Sequence, residues 1–226
     1  MKKKKFIKPS KQRWSNLFKK HFLNIFYIFF LGAISSYSLP PYNNFIINFF
    51  TFSLFFIFIF NKKKRTTNNK FFFQYGWCFG FGYFLFSLYW ISISLTFDQS
   101  FKFLIPVAII LLPAFLAIFY GLITYLFSIF YSKNLVTSFF IFSILFGTIE
   151  FVRSSIFTGF PWNLIAFSFS NSIYFIQILS IIGTYSFNLI CISLFTVPAL
   201  FILKNSRAEI IVCFFFILMS AGFLIF

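Results

Sequence analysis

Apolar residues fill this chain in seven long runs, separated by short polar breaks. The runs cover residues 22–39, 45–60, 71–95, 103–131, 135–152, 173–203 and 210–226. A bilayer hydrocarbon core of about 30 Å takes about 20 helical residues, within a range of about 17 to 25. Most runs fit that window, so the pattern predicts an all-α fold, a polytopic transmembrane helix bundle of about seven spans. The second run is short, and its boundary is expected to reach into residues 41–44. The fourth and sixth are long, yet two spans would need about 40 residues plus a turn. Each is read as one tilted or kinked span, with Pro106 and Pro113, and Gly183 and Pro198, as kink points.

The polar breaks orient the bundle. Nine of the nineteen basic residues lie between positions 2 and 20, and five more between 62 and 70. Together with Lys133 and the pair Lys204 and Arg207, they fall in alternate connections. The intervening connections, 40–44, 98–102 and 153–172, are poor in Lys and Arg. The positive-inside rule places the basic loops and the N-terminus in the cytoplasm, and the segment after Glu150 outside. Seven spans then bring the C-terminus to the periplasmic side. The chain divides into a basic N-terminal segment, residues 1–21, and a transmembrane helical domain, residues 22–226. The first run is read as an uncleaved span, because Leu39, Pro40 and Pro41 make a poor cleavage context.

Composition closes off other classes. Sixty per cent of the residues are hydrophobic and 10% charged, with a mean hydropathy of +0.91. A soluble domain of this size could not cover its surface with so few polar groups. The net charge of +16 is clustered beside apolar runs, where it sets topology and favours anionic lipid headgroups. It is not spread over a folded face as in a nucleic-acid-binding domain, so no nucleic-acid partner is expected. Forty-six Phe, with abundant Ile, Asn and Lys, point to an AT-rich genome, so a single Phe carries little weight. Cys78, Cys191 and Cys213 sit in apolar runs without paired spacing and are read as small packing hydrophobes. No metal cluster, phosphate loop or nucleophile with its base is recognisable, and no cofactor is expected.

The candidate chemistry gathers at residues 150–163, which read Glu-Phe-Val-Arg-Ser-Ser-Ile-Phe-Thr-Gly-Phe-Pro-Trp-Asn. Ionisable residues at the edge of a span are costly and mark a functional-site hypothesis. Glu150 and Arg153, three apart, share a helix face. Either they form an ion pair that ends the helix at the interface, or Arg153 meets a lipid phosphate while Glu150 orients it. Pro161 and Gly159 break the helix. Phe160 and Trp162 then form either an interfacial anchor or a wall of a lipid-binding cavity. In the third run, Gly76 and Gly80 allow close helix approach, and Tyr89 and Trp90 fall toward the same outer end. Asp98 and Glu209 are read as solvated loop residues, and His21 as interfacial.

These residues resemble a known family. Gly-Phe-Gly-Tyr-Phe at 80–84 and Leu-Tyr-Trp-Ile-Ser at 88–92 are similar to the third membrane segment of bacterial apolipoprotein N-acyltransferases. The stretch 150–162 resembles that family's most recognisable membrane-domain signature, and Pro40, Pro41, Gly183 and Tyr185 also fit. The resemblance implies an inner-membrane enzyme that moves an acyl chain from phospholipid to the N-terminal amine of a diacylglyceryl-cysteine on lipoproteins. It makes the stretch with Glu150, Arg153, Phe160 and Trp162 the expected rim of a lipid-acyl site, and Tyr89 and Trp90, at the same outer end, are read with them as substrate-binding residues. In the family the reacting thiol belongs to a periplasmic nitrilase-like domain with a Glu and a Lys, following the seventh membrane segment. None of Cys78, Cys191 or Cys213 matches it. The chain is therefore expected to be inactive alone, either as a truncated form or as a split form whose partner is a separately encoded nitrilase-like domain. The alternative is a non-catalytic membrane platform anchoring a partner enzyme, such as a polyprenol-phosphate mannose synthase.

Overall fold

The computed structural model describes residues 11–66, 68–156, 161–204 and 206–225. Within the apolar runs the backbone bonds to itself, because lipid offers no partner for an open N–H or C=O. The result, among the described residues, is helices and no strand. The helices are α1 (Lys11–Ser35), α2 (Ile46–Arg65), α3 (Lys70–Ser87), α4 (Ile91–Ser94), α5 (Ile105–Phe130), α6 (Leu135–Ser155), α7 (Ile173–Ile182), α8 (Thr184–Leu203) and α9 (Arg207–Ile225). Five helical segments are long and apolar enough to cross a membrane: Lys20–Ser38, Ile46–Arg65, Lys102–Phe130, Leu135–Ser155 and Thr184–Leu203. The third and seventh runs are also helical, as α3 and α9, but stand outside that set of five.

Three boundaries differ from the sequence expectation. The second span gains its length at the basic end, through Lys62, Lys63 and Lys64 to Arg65, because long cationic side chains can carry a helix past the hydrocarbon. At its other end the backbone is committed to a turn, in which Tyr42 and Asn43 N–H groups both bond to the Leu39 carbonyl. The helix in the third run stops at Ser87, where the chain turns through residues 88–90 before the single turn of α4. The sixth run is two helices, parted at Gly183 (φ 79°, ψ 157°). With φ in the positive region, that junction favours glycine. The ten-residue α7 is too short to cross a bilayer. The fourth run is a single helix, with Pro106 at its start and Pro113 inside.

α3 is wedged between α1 and α5, and glycine makes the wedge possible. A Cβ on Gly32 would overlap the Phe79 carbonyl, and one on Gly82 would overlap the Phe29 carbonyl, so α1 and α3 meet backbone to backbone. On the opposite face of α3, a Cβ on Gly76 would strike Thr124 and the Tyr120 carbonyl. One on Gly80 would lie 2.7 Å from Tyr120 Cβ. Without a hydrophobic drive between helices in lipid, such close approach supplies the packing contacts that hold a bundle together. The Thr124 hydroxyl adds a hydrogen bond to the Phe72 carbonyl at 2.6 Å. The pairing expected of Gly76 and Gly80 is thus with α5.

The two ends of the bundle differ. At one end His21 of α1 hydrogen-bonds Gln74 of α3 at 3.2 Å. Lys62, in the last turn of α2, lies within electrostatic reach of Lys20. At the other end, Leu39, Ser87 and the segment 162–170 converge. Large apolar side chains such as Phe22 and Phe26 on α1, and Ile110 and Leu111 on α5, are exposed, a lipid-facing surface in a membrane protein. Cys191 and Cys213 are buried. Asp98 is exposed and accepts from Ser100 N–H at 2.8 Å. Glu209, expected in solvent, is instead buried. It accepts from the Ser206 N–H at 2.8 Å and from the Ser206 hydroxyl, closing the start of α9 where backbone donors lack helical partners.

Candidate functional site

α6 carries Glu150 and Arg153 in its last two turns, on the face turned into the bundle. They are 1% and 2% exposed. Arg153 Nη2 donates to Glu150 Oε2 at 2.8 Å. The guanidinium also lies 5.3 Å from the centre of the Phe84 ring, a cation–π placement that helps a desolvated cation. Its Nη1 donates to the Trp162 carbonyl at 3.2 Å. The ion pair at the helix end is therefore present, but inside the protein rather than at an open rim. The guanidinium's described partners are a carboxylate, a carbonyl and a ring.

The turn after α6 is held from a second direction. Tyr83 of α3 donates its hydroxyl to the Asn163 carbonyl at 3.0 Å. Asn163 sits at φ 58°, a left-handed conformation that Asn adopts more readily than bulkier residues. Its side-chain amide donates to the Ser87 carbonyl at 3.3 Å. Two consecutive carbonyls, of Trp162 and Asn163, are thus gripped by buried donors from α6 and α3. The short 3-10 segment Ile165–Phe169 that follows is tied to α8, where Asn188 Oδ1 accepts from Ala166 N–H at 3.0 Å. It is tied to the residues before α2 as well, since Ser170 donates to Asn43 Oδ1 at 3.1 Å.

This grip sets Trp162 against Trp90, with ring centres 5.0 Å apart and planes at 13°. The rings are 47% and 41% exposed, so each keeps a surface for a visitor. Beneath them opens a cleft of about 280 Å³, lined by Pro40, Ser87, Trp90, Trp162, Asn163 and Phe167 among others. The Ser87 hydroxyl oxygen is buried without a hydrogen-bond partner. The arrangement is a largely apolar, aromatic hollow, with the Ser87 hydroxyl buried in its wall. It can hold and orient a chain-like ligand, whereas a buried ion pair and two indoles supply no nucleophile.

Of the residues singled out in the sequence, Trp90 and Trp162 come together at the cleft, and Glu150 and Arg153 brace it from beneath. Tyr89 is exposed beside them but does not line the hollow, and Phe160 lies outside the described residues. Tyr83 and Ser87 lie outside the candidate residues that the sequence singles out, and Asn163 only closes its 150–163 stretch. A signal existed for Asn163, an Asn directly after a Pro-Trp turn, where a left-handed residue is common. Tyr83 closes the Gly-Phe-Gly-Tyr stretch, but nothing local shows where its hydroxyl points.

Tyr120 of α5 shares this interior. Its ring stacks with Tyr83 at 6.0 Å and meets Phe84 edge-on at 5.2 Å. Its hydroxyl is buried near the Glu150 carboxylate. Removing the Tyr83 hydroxyl is the gentlest test of the grip. Tyr83→Phe is expected to lower stability by about 1 kcal/mol, the usual net worth of one hydrogen bond. It should speed amide exchange at residues 162–164 while leaving the middle of α5 unchanged; hydrogen exchange with mass spectrometry reads both.

Comparison with known proteins adds the family context. The family model for the apolipoprotein N-acyltransferase N-terminal domain matches residues 31–197. The apolipoprotein N-acyltransferase of Rhizobium rhizogenes is 33% identical over 183 residues, covering 78% of this chain and 34% of the relative. That of Brucella melitensis is 32% identical over 178 residues, 76% of this chain and 33% of the relative. That of Rickettsia bellii is 44% identical over 122 residues, 54% of this chain and 24% of the relative. The chain spans about one third of the length of the curated relatives that cover most of it.

Proposed function

Since this multi-pass membrane chain belongs to the apolipoprotein N-acyltransferase N-terminal domain family, we propose that it serves as the membrane portion of an acyl-transfer enzyme. Its substrates are a phospholipid donor and the N-terminal diacylglyceryl-cysteine of a lipoprotein. The observation that carries this reading is the Trp90–Trp162 pair over an apolar cleft, on a turn locked from beneath by Arg153 and Tyr83. Two indoles and Phe167 offer an acyl chain flat apolar walls. Glu150 and Arg153 act by positioning Trp162. The reacting thiol, with its Glu and Lys, comes from a nitrilase-like domain, and Cys191 and Cys213 are packing residues.

The cleft lies at the end opposite the basic residues. By the positive-inside rule that end faces outward, which in a bacterial inner membrane is the periplasmic side, where a lipoprotein N-terminus is presented.

A chimera in which residues 11–225 replace the corresponding membrane part of the Rhizobium rhizogenes relative tests the proposal. It is expected to acylate a diacylglyceryl lipopeptide in phospholipid micelles, read by mass spectrometry. Trp162→Ala in the chimera should cut transfer about tenfold, equivalent to about 1.4 kcal/mol of lost contact. A folded chimera without transfer, or one indifferent to Trp162→Ala, would overturn the reading.

A further inference from the structure

At the opposite end of the bundle, α1 and α2 part to leave a second hollow of about 310 Å³. It shares no lining residue with the tryptophan cleft. Its walls change character along the helix axis. Leu54, Ile57 and Phe58 form an apolar stretch toward the middle of the bundle, with Tyr27 across from them on α1. One to two turns further on, the lining becomes Asn61, Lys62 and Arg65. Lys62 Nζ lies 5.2 Å from the centre of the Phe58 ring and 6.0 Å from that of Tyr75 on α3. Lys20 and Arg65 both lie within electrostatic reach of that ammonium.

No acidic residue lines the hollow. The neighbouring lysines do not line the hollow: Lys63 donates to Asn69 Oδ1 at 2.6 Å, and Lys64 sits 4.4 Å from the Phe60 ring centre. Lys62 and Arg65 therefore present like charges, without a protein carboxylate, at the mouth of an apolar groove. Like charges held together repel until an anion joins them. A soluble anion would satisfy the cations but leave the apolar walls unused. A neutral lipid would use the walls but not the cations. A ligand that matches both has an anionic head and a hydrocarbon tail.

We infer that the α1/α2 hollow binds an anionic phospholipid, its phosphate between Lys62 and Arg65 and an acyl chain along Leu54, Ile57 and Phe58. Arg65 supplies a planar fork for phosphate oxygens and Lys62 a point charge. The inference does not depend on the acyl-transfer reading, because the site lies at the other end of the bundle. It gives the chain a lipid that is held rather than consumed.

Native mass spectrometry of the full chain in detergent, titrated with phosphatidylglycerol or phosphatidylcholine, tests it. The chain is expected to retain phosphatidylglycerol preferentially. Lys62→Gln with Arg65→Gln should weaken that binding about 25-fold, at about fivefold per cation. Lys133→Gln with Lys204→Gln, which removes the same charge elsewhere, should change it less than about twofold. Ile57→Trp fills the groove and keeps the cations; it should also weaken binding, by about tenfold. An unchanged affinity in the Lys62/Arg65 variant would overturn the site. So would equal losses in the Lys133/Lys204 control, or indifference to Ile57→Trp.

Discussion

Glu150→Ala is expected to remove the folded form from detergent extracts, or to lower its stability by about 3–5 kcal/mol. That is the range for stranding one member of a buried ion pair. Arg153 would keep its place under Phe84 with its carboxylate gone, and a buried cation without a counter-charge is a costly thing inside a membrane protein. Thermal unfolding followed by tryptophan fluorescence reads the loss. The informative companion is the pair Glu150→Leu with Arg153→Leu. Replacing a whole buried pair by apolar residues is often neutral for stability, so this double variant should regain most of the wild-type midpoint. It should not regain the hydrogen bond to the Trp162 carbonyl. A folded double variant with impaired acyl transfer in the chimera would separate the two roles of the pair, holding the fold and holding the tryptophan. If the double variant transfers normally, the pair has no positioning role.

Gly76→Leu is expected to be at least as damaging. A side chain there meets Thr124 and the Tyr120 carbonyl, and helix backbone cannot step aside as a flexible side chain can. α3 would be pushed from α5, the Thr124–Phe72 hydrogen bond would break, and Tyr120 would leave its place beside Glu150. Overpacking typically costs about 1–3 kcal/mol and occasionally more; with backbone as the obstacle, the upper part of that range or beyond is expected. Gly76→Ala should be milder than Leu, yet still harmful, since even a Cβ overlaps. Yield of monodisperse protein on size exclusion, compared across Gly, Ala and Leu, checks the order. Equal yields would show that α3 and α5 do not meet as described.

Both variants act through the same interior, which explains why so little of the site is at the surface. The cleft has two exposed rings, but what places them is a buried set on three helices: Glu150 and Arg153 on α6, Tyr83 and Phe84 on α3, Tyr120 on α5. Much of this was legible in the chain. The i,i+3 spacing of Glu150 and Arg153 put them on one face, and they do pair. The Gly76–Gly80 spacing announced a close helix contact, and it is there. Chain order places Trp90 and Trp162 toward one end of the bundle, and they stack. Tyr89, their neighbour in sequence, lies beside the hollow rather than on it, because residues 88–90 form a turn and no longer follow the helix period.

Sequence alone determined the class: long apolar runs must become helices, since lipid leaves the backbone no other partner, and the breaks with their charges divide the bundle into a basic end and a tryptophan end. It also nominated the stretch around Arg153, because charge is rare and costly in such company. Only the tertiary structure decided that the ion pair is buried, that the sixth run divides at Gly183, and that Tyr83 and Asn163 complete the grip on Trp162. Helix formation and charge placement depend on residues close along the chain. Burial and hydrogen bonding across the bundle depend on which helices approach, as when Tyr83 meets Asn163 eighty positions away, and no local pattern encodes that approach.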